Sequence, residues 1–490
     1  MKFKLMKALM ATTLLVSSLT GIGAVSAATE TNTDQAQIRI HKRIFPAGET
    51  STLTQNTGEI MNFGGKALNG AGFSIYDVTD EYYHKLGDKH SETEINTVIS
   101  EIQDESISAA PDYATKIGNE ITTAGEGVAD FAKLPIHKGG QYAAYLVLET
   151  TTPVTPTITK KAVPMVVVMP VYKPGTTTIN SQIHLYPKNE TDEDQKVLTN
   201  QANFTEVDFN GTKYPNVSSG ALLNYALTVN IPVNIAEANV QSFVIQDAPS
   251  NGLVLADLAA VKVGDLVQGT DYTIAATNNG FEIALKTDAP NVKQLAGQKL
   301  LVTYPMQLTA SVDPDQVIQN KATISVNNQP GTDLIVKTVT GGKKFKKIDA
   351  QTDKGLAGAQ FVVKKGDQFA MFKQDQTDTY LFDTWVSDEA QATKISSGNN
   401  GQLSVVGLAN GNHSLIEVKA PNGYLLNENN RPTKDFTVVA GQFGTETIKF
   451  ENIRKGGFLP QTGSIGIYAF VVVGLMLMGG AYFWNRKVKR

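Results

Sequence analysis

The chain has 490 residues and no cysteine. This absence excludes disulfides, thiol nucleophiles and cysteine-ligated zinc or iron–sulfur sites. Charged residues make up only 18% of the sequence, against about 25% in an average soluble protein. A net charge of −4 indicates no basic surface for nucleic acid, so no nucleic-acid partner is expected. The six histidines show no metal-binding spacing, and we expect neither a metal nor a cofactor.

Long apolar runs are confined to the two ends of the chain. Residues 1–28 carry a basic start, an apolar run over 8–16 and small residues over 24–28. This is the pattern of a secretory signal peptide, with cleavage after Ala27 or Ala28. The sequence therefore predicts a secreted protein.

The second apolar run lies near the C-terminus, from Ile465 to Trp484, and a basic tail over 486–490 follows it. A run of about 20 apolar residues is long enough to span a bilayer, and the basic tail would remain in the cytoplasm. We therefore predict a transmembrane segment and transient membrane anchoring.

A short motif precedes this run within the terminal segment 456–490. It consists of Leu459, Pro460, Gln461, Thr462 and Gly463. With the apolar run and basic tail behind it, the motif resembles the LPxTG sorting signal of Gram-positive surface proteins. The resemblance implies that a sortase cuts after Thr462, joins Thr462 to an amine, and leaves the protein attached to peptidoglycan in the cell wall.

The body of the chain is predicted to form β-structure. Alternating apolar runs such as 143–149 and 360–363 are separated by clusters of glycine, asparagine, aspartate and proline, a spacing that favours β-sandwiches. Only Glu92 to Ile107 has helical spacing, which predicts a helical insertion in the first domain. The predicted fold is all-β, with tandem immunoglobulin-like domains.

Two pairs of segments in the body of the chain resemble each other. Residues 70–76 parallel 357–363, and YLVLET at 145–150 parallels HSLIEV at 413–418. The first and third domains are therefore expected to be of one type. They resemble the B-type, and the middle domain resembles the A-type, immunoglobulin-like domains of Gram-positive adhesins and pilins. The predicted domains are 29–190, 191–335 and 336–455, between the signal peptide and the terminal segment.

Each predicted domain places a lysine, a carboxylic acid and an asparagine on strand faces that are otherwise apolar. Lys42, for example, shares a face with Ile38 and Ile40, because strand side chains alternate. The three sets are Lys42, Glu149 and Asn189; Lys196, Asp247 and Asn320; and Lys347, Glu417 and Asn452.

Burial changes the chemistry of such groups. A buried lysine tends to a neutral, nucleophilic amine and a buried acid to its neutral form. The amine can attack the asparagine carboxamide, ammonia leaves, and the acid relays protons, so that an isopeptide bond forms. Hydrogen-bonded or salt-bridged polar groups of the core are the alternative for each set.

The acids lie in segments that resemble family motifs. Leu415 to Tyr424 (LIEVKAPNGY) resembles the E-box of B-type pilin domains, YxLxETxAPxGY, with Glu417 as its glutamate. In the middle domain, FVIQDAPSNGL around Asp247 and NKATI around Asn320 resemble the A-type pattern. The first domain departs from the E-box, because residues 151–153 (TTP) replace the AP element. The resemblance implies a bond between the first and last strands of each domain.

The stretch HLYPKNE at 184–190 resembles the pilin motif of sortase-assembled backbone pilins, whose core is YPKN. Ile179 stands where the family often has tryptophan. In a regular strand Asn189 points inward and Lys188 outward, which predicts an exposed amine. The resemblance implies that Lys188 accepts Thr462 of the next subunit. An ordinary exposed turn lysine is the alternative.

Together these resemblances imply a backbone pilin subunit rather than a turnover enzyme. The implied partners are a pilin-specific sortase, a housekeeping sortase, identical subunits, tip and basal pilins, and peptidoglycan. A monomeric wall-anchored adhesin with the same domains, a tip or basal pilin, and a secreted enzyme are the alternatives.

Overall fold

The computed structural model describes residues 34–49, 56–89, 91–309, 312–456 and 477–478. Within these ranges the chain forms 34 strands and three α-helices, so the prediction of an all-β chain is confirmed. The residues fall into two compact units. The first draws on the described residues within Met1–Gln201, Leu222–Met306 and Gln319–Val336, and the second on those within Ala202–Ala221, Gln307–Ile318 and Lys337–Arg490. The boundaries of the three predicted domains stay a prediction.

The N-terminal part of the first unit contains twelve strands and two helices among its described residues. They are β1 (Gln35–His41), β2 (Arg43–Pro46), β3 (Lys66–Ala67), β4 (Gly72–Asp77), α1 (Thr79–Leu86), α2 (Glu92–Glu105), β5 (Thr115–Thr122), β6 (Val128–Pro135), β7 (His137–Lys138), β8 (Gln141–Tyr142), β9 (Ala144–Thr151), β10 (Met165–Val168), β11 (Gln182–Leu185) and β12 (Lys188–Thr191). The sheets have the orders β11-β1-β6, β10-β9-β4-β5 and β12-β2-β3, beside a β7-β8 hairpin. We refer to this part as the N-terminal region.

The first and last strands of the N-terminal region run parallel to each other. β1 pairs with β11 and places Ile38 beside Ile183, and β2 pairs with β12 and places Ile44 beside Asn189. Every second residue from 36 to 44 is buried, because one face of β1 and β2 packs on the core. Lys42 falls in this series.

The helical insertion covers the second face of β9. Its start is fixed by a capping box, in which Ser91 accepts a hydrogen bond from the Glu94 N–H and Glu94 accepts one from the Ser91 N–H. The contact consists of Val98, Ile99 and Ile102 of α2 against Ala144, Leu146 and Leu148 of β9. The predicted helix is confirmed and ends at Glu105, whereas α1 was not predicted.

The middle of the chain supplies two larger sheets, of five and six strands, and one two-stranded sheet made by its second and third strands. Its elements are β13 (Gln195–Leu198), β14 (Glu206–Phe209), β15 (Thr212–Pro215), β16 (Leu222–Asn230), β17 (Phe243–Pro249), β18 (Leu253–Leu255), β19 (Lys262–Val263), β20 (Tyr272–Ala276), β21 (Phe281–Leu285), α3 (Pro290–Gln294), β22 (Lys299–Leu308), β23 (Ile318–Val326), β24 (Gln329–Pro330) and β25 (Leu334–Thr338). One sheet has the order β13-β16-β22-β18 with β19 on β22, and the other β20-β21-β17-β23-β24 with β25 on β23. Every second residue of β22 and of β23 is buried, so one face of each strand packs on a core.

The C-terminal part of the second unit forms one nine-stranded sheet. Its strands are β26 (Gly341–Asp349), β27 (Gln360–Lys365), β28 (Gln368–Gln376), β29 (Thr379–Val386), β30 (Ile395–Ser396), β31 (Gln402–Leu408), β32 (Gly411–Lys419), β33 (Thr433–Val438) and β34 (Thr447–Asn452). Their order is β33-β32-β27-β28-β29-β31-β26-β34, with β30 on β27. Again the first and last strands are parallel neighbours, and Asp349 pairs with Asn452.

One sequence prediction is corrected. No helix in the described ranges is long and apolar enough to cross a membrane. The longest of them, α2, has 14 residues, which extend about 21 Å against a hydrocarbon core of about 30 Å. The predicted transmembrane segment is therefore not supported. Except for 477–478, the residues assigned to it lie outside the described part of the chain, as does the predicted signal peptide.

Candidate functional site

Lys42, Glu149 and Asn189 meet in the core of the N-terminal region. The Nζ of Lys42 lies 2.6 Å from Asn189 Oδ1 and 2.7 Å from Glu149 Oε2. Asn189 Nδ2 donates a 3.0 Å hydrogen bond to Glu149 Oε1. All three side chains are buried. The structure brings together the three residues that the sequence singled out.

The backbone around Lys42 holds this side chain in place. Lys42 lies in the break between β1 and β2, where its N–H donates to Gly127 O (2.7 Å) and its carbonyl accepts from the Leu68 N–H (3.0 Å). Gly127 has φ +76°, and a Cβ there would lie 2.5 Å from Lys42 O. Only glycine permits both this conformation and this approach.

Burial makes Lys42 a better nucleophile. The loss of water lowers the pKa of Lys42 from its usual 10.5, and attraction to Glu149 opposes this change. The ammonium end lies 5.7 Å from the centre of the Phe73 ring, which adds apolar surroundings. A lowered pKa raises the fraction of neutral amine, the form that attacks a carbonyl carbon.

Lys347, Glu417 and Asn452 form an equivalent cluster in the nine-stranded sheet. Lys347 Nζ lies 2.5 Å from Asn452 Oδ1 and 3.4 Å from Glu417 Oε1. Asn452 Nδ2 donates a 2.9 Å hydrogen bond to the same Glu417 oxygen. The strands β26, β32 and β34 supply one residue each, and all three are buried.

Burial shifts the pKa values of both titratable groups in this cluster. It lowers the pKa of Lys347 to about 8 and raises the pKa of the Glu417 carboxyl. The ring of Phe450 lies 4.4 Å from the lysine Nζ. Both shifts favour the uncharged pair, a neutral amine beside a neutral acid.

The middle cluster is less closely connected. Lys196 Nζ lies 2.6 Å from Asp247 Oδ2, and Tyr304 donates a 2.5 Å hydrogen bond to the same oxygen. Burial lowers the pKa of Lys196 to about 8 and raises that of Asp247. The lysine also lies 5.4 Å from the Tyr225 ring centre.

Asn320 completes this cluster without a hydrogen bond to Lys196. It is fully buried on β23, where it pairs with Pro249, two residues after Asp247. Among the described residues, neither polar atom of its side chain has a hydrogen-bond partner of normal geometry. The Asn320 side chain lies close to Asp247, Tyr225 and Tyr304, and its amide acts to lower the pKa of each of these groups.

Lys188 lies on the opposite face of β12 from Asn189, because adjacent strand residues alternate. It was expected to be exposed, but it is half-buried and lines a small cavity with Asn56 and the segment 160–165. Burial lowers its pKa, Glu190 opposes this shift and Lys160 adds to it. The segment 160–165 is distant in sequence, which is why strand alternation alone overstated the exposure.

By strand alternation His184 and Tyr186 would share the face of Lys188, and both of them are buried. His41 stacks on each of them, at centroid distances of 5.1 and 4.7 Å. Phe63 stacks on Tyr186 at 5.3 Å. Aromatic rings therefore cover the strand that leads into Lys188.

The sorting motif Leu459, Pro460, Gln461, Thr462 and Gly463 lies outside the described residues. Its assignment rests on sequence. Four family models match the chain almost end to end: a Gram-positive pilin subunit D1 N-terminal domain over 33–190, a cell surface antigen I/II C2 terminal domain over 188–339, a prealbumin-like fold domain over 341–454, and an LPXTG cell wall anchor motif over 455–490. Together these matches support a Gram-positive backbone pilin, as the sequence predicted.

The chain is also similar to individual proteins. The pilin is 26% identical over 407 residues to the fimbrial subunit type 2 of Actinomyces naeslundii, covering 72% of this chain and 70% of the relative. The full-length RrgB pilus protein of Streptococcus pneumoniae is 18% identical, with 88% and 100% of the two chains covered and a TM-score of 0.49. The major pilin SpaD of Corynebacterium diphtheriae is 21% identical, with 86% and 98% covered and a TM-score of 0.41.

The pilin is a subunit of a pilus shaft, and an anchor attaches it to the cell wall at the bacterial surface. Several groups around its buried clusters were not found from the sequence. They are the backbone N–H of Ala162, the tyrosines at 225 and 304, and the aromatic rings that contact the lysines. Strand alternation could have indicated the inward tyrosines, but no sequence signal marks the backbone donor.

Proposed function

We propose that this pilin is a backbone subunit that a pilin-specific sortase polymerises by joining Thr462 of one subunit to Lys188 of the next. A housekeeping sortase then attaches the polymer to peptidoglycan, and tip and basal pilins complete the pilus. The observation that supports this most directly is that Lys188 and Asn189 are adjacent in the sequence and point to opposite faces of β12. One residue presents an amine beside a cavity, and the next lies in a buried lysine–acid cluster.

We further propose that the three clusters form intramolecular isopeptide bonds between Lys42 and Asn189, Lys196 and Asn320, and Lys347 and Asn452. The lysine nitrogen bonds to the asparagine Cγ, and the bond from Cγ to Nδ2 breaks. A proton from the amine passes to the departing Nδ2, so ammonia leaves. Each bond forms once, so the subunit is structural and has no turnover.

The contacts of the acids suit a proton relay. Glu149 contacts Lys42 Nζ through one oxygen and Asn189 Nδ2 through the other, and Glu417 contacts both corresponding nitrogens through a single oxygen. Each acid can therefore take a proton from the attacking nitrogen and deliver it to the leaving nitrogen. The lysine Nζ is already held within 2.6 Å of the carboxamide in these two clusters, so proximity supplies much of the rate.

Position along the chain gives the bonds a mechanical role. Lys42 lies between β1 and β2, which pair in parallel with β11 and β12, and Asn189 lies on β12. Lys347 and Asn452 lie on β26 and β34, the parallel first and last strands of the nine-stranded sheet. A covalent tie between the terminal strands prevents them from separating under tension. Head-to-tail joining of subunits is a non-closing contact, the kind that produces filaments.

A monomeric wall-anchored adhesin is the second candidate, because the fold and the anchor would serve it equally. It would have no use for Lys188. The two are separated by substituting Lys188→Arg in cells that make the pilus, with Lys160→Arg in the same cavity as the control. If the protein is a pilus shaft subunit, the wall fraction of the Lys188→Arg variant lacks the ladder of high-mass covalent polymers, and the Lys160→Arg variant keeps it. An adhesin would be released as monomer in every case.

A further inference from the structure

The carboxamide oxygen of Asn189 has a second donor besides the lysine. The backbone N–H of Ala162 donates a 2.7 Å hydrogen bond to Asn189 Oδ1, while Lys42 Nζ lies 2.6 Å from the same atom. The amide nitrogen faces the Glu149 carboxyl. These contacts fix the orientation of the carboxamide, with its oxygen on the donors and its leaving nitrogen on the acid.

We infer that the Ala162 N–H is a catalytic oxyanion donor for the bond between Lys42 and Asn189; this inference rests on the proposed isopeptide chemistry. As the lysine nitrogen bonds to Cγ, the C=O double bond opens and negative charge gathers on Oδ1. The charge returns to re-form C=O when the Cγ–Nδ2 bond breaks and ammonia leaves with the relayed proton. A donor already aimed at this oxygen stabilises the tetrahedral state.

The acid alone does not supply this stabilisation. Among the described residues, Glu149 contacts both nitrogens of the reacting pair but makes no hydrogen bond to Asn189 Oδ1. Polarisation of the carbonyl therefore falls to the Ala162 N–H, and proton transfer falls to Glu149. Polarisation and proton transfer are thus divided between two groups.

The segment that carries Ala162 is held at several points, so its donor is fixed before the reaction. Near Ala162, the N–H of Thr159 donates to Glu190 O (2.9 Å), and Lys160 forms an antiparallel β-bridge with Glu190. Further back, the Thr152 carbonyl accepts from Asn234 Nδ2 (3.1 Å) and Asn239 Nδ2 (2.9 Å). A rigidly placed donor needs little reorganisation when charge develops.

The other two clusters provide an internal comparison. In the described part of the chain, Asn452 Oδ1 receives its hydrogen bond from Lys347 with no backbone donor, and Asn320 Oδ1 has no partner. The added donor is specific to the N-terminal region, where residues 151–153 depart from the E-box. Removing it should slow one bond and leave the other two unchanged.

The test compares the rates of bond formation in the full chain made by cell-free translation. The simplest variant is Ala162→Pro, which removes the N–H, with Ala162→Gly as the matched control that keeps it. Because proline can disturb the segment, the decisive variant replaces the amide at residue 162 by an ester, with the alanine side chain retained. Samples are quenched in denaturant at intervals, and crosslinked peptides are quantified by mass spectrometry.

We expect the ester to slow the bond between Lys42 and Asn189 on the order of 10²-fold, the effect of losing one oxyanion donor. The bond between Lys347 and Asn452 should form at the unchanged rate in the same molecules, and Ala162→Gly should behave as the wild type. Formation of the first bond at the wild-type rate in the ester variant, or equal slowing of both bonds, would overturn the inference. A wild-type chain that never forms the first bond would instead contradict the proposed function.

Discussion

Lys188 and Asn189 are consecutive residues of β12 whose side chains lie in different environments. Asn189 is fully buried against Lys42 and Glu149, whereas Lys188 is half-buried beside the segment 160–165. In the proposed fibre, the link between subunits is therefore one residue from the bond that ties β12 to the start of the region. Tension applied at Lys188 would pass directly into a covalently closed pair of strands.

Replacing Lys188 by arginine should abolish polymerisation without loss of fold. Arginine keeps the positive charge and the long stem, but its guanidinium is a poor nucleophile because it stays protonated. Wall fractions analysed by denaturing gel should show monomer only, with the three internal bonds intact by peptide mapping. A normal ladder in the Lys188→Arg strain would rule out this residue as the acceptor.

Glu417→Gln should prevent the bond between Lys347 and Asn452. Glutamine keeps the shape and a hydrogen bond to the asparagine, but it cannot relay a proton. The bond closes a loop with a sequence separation of 105 residues, so its loss should lower the free energy of unfolding by about 4–5 kcal/mol. Thermal unfolding and peptide mapping of the same sample measure both effects.

Glu446→Gln is the matched control for this experiment. Glu446 pairs with Lys343 on the same sheet, and its side chain is 70% exposed, so its substitution should leave the bond and the unfolding temperature nearly unchanged. If the Glu417 variant still crosslinks at the wild-type rate, the acid has no part in the reaction.

His413 should make the pilin less stable in acid. Burial lowers its pKa from 6.5 to about 4, and its ring stacks between Trp385 and Phe436. The unfolded chain binds a proton below about pH 6.5 while the folded chain does not until about pH 4. Stability should therefore fall by about 3 kcal/mol across this window as pH decreases. Calorimetry of His413→Phe should show a flatter pH dependence, and an equal slope in both proteins would refute the assignment.

Tyr304→Phe should weaken the middle cluster. The hydroxyl donates to Asp247, and a hydrogen bond to such a carboxyl group contributes about 1.5–3 kcal/mol. We expect a loss of stability of this size and a higher pKa for Asp247. Tyr272→Phe, a buried tyrosine in the same part of the chain, is the control. Equal unfolding temperatures for the two variants would show that the Asp247 contact contributes nothing.

Strand alternation explains why much of this arrangement could be predicted. Lys42 continues the buried series that includes Ile38 and Ile40, and Lys347 follows buried Phe345 in the same way. A polar residue in such a series must face the core, whatever its partners are. The helix from Glu92 was predicted because its apolar residues recur at helical spacing.

Contacts between segments distant in sequence could not be predicted. Lys188 is partly buried by residues 160–165, and Tyr186 is covered by His41 and Phe63. The Ala162 donor is a backbone group in a loop, so no side chain marks it. The short helix α1 was missed because it carries only eight residues, too few for a clear periodicity.

The most direct test of the account is the intact mass of the purified chain, followed by peptide mapping. Each isopeptide bond removes one ammonia. The account predicts a mass lower by three ammonia losses, with crosslinked peptides joining Lys42 to Asn189, Lys196 to Asn320, and Lys347 to Asn452. A mass equal to that of the uncrosslinked sequence would contradict it, and the buried clusters would then be ordinary hydrogen-bonded groups of the core.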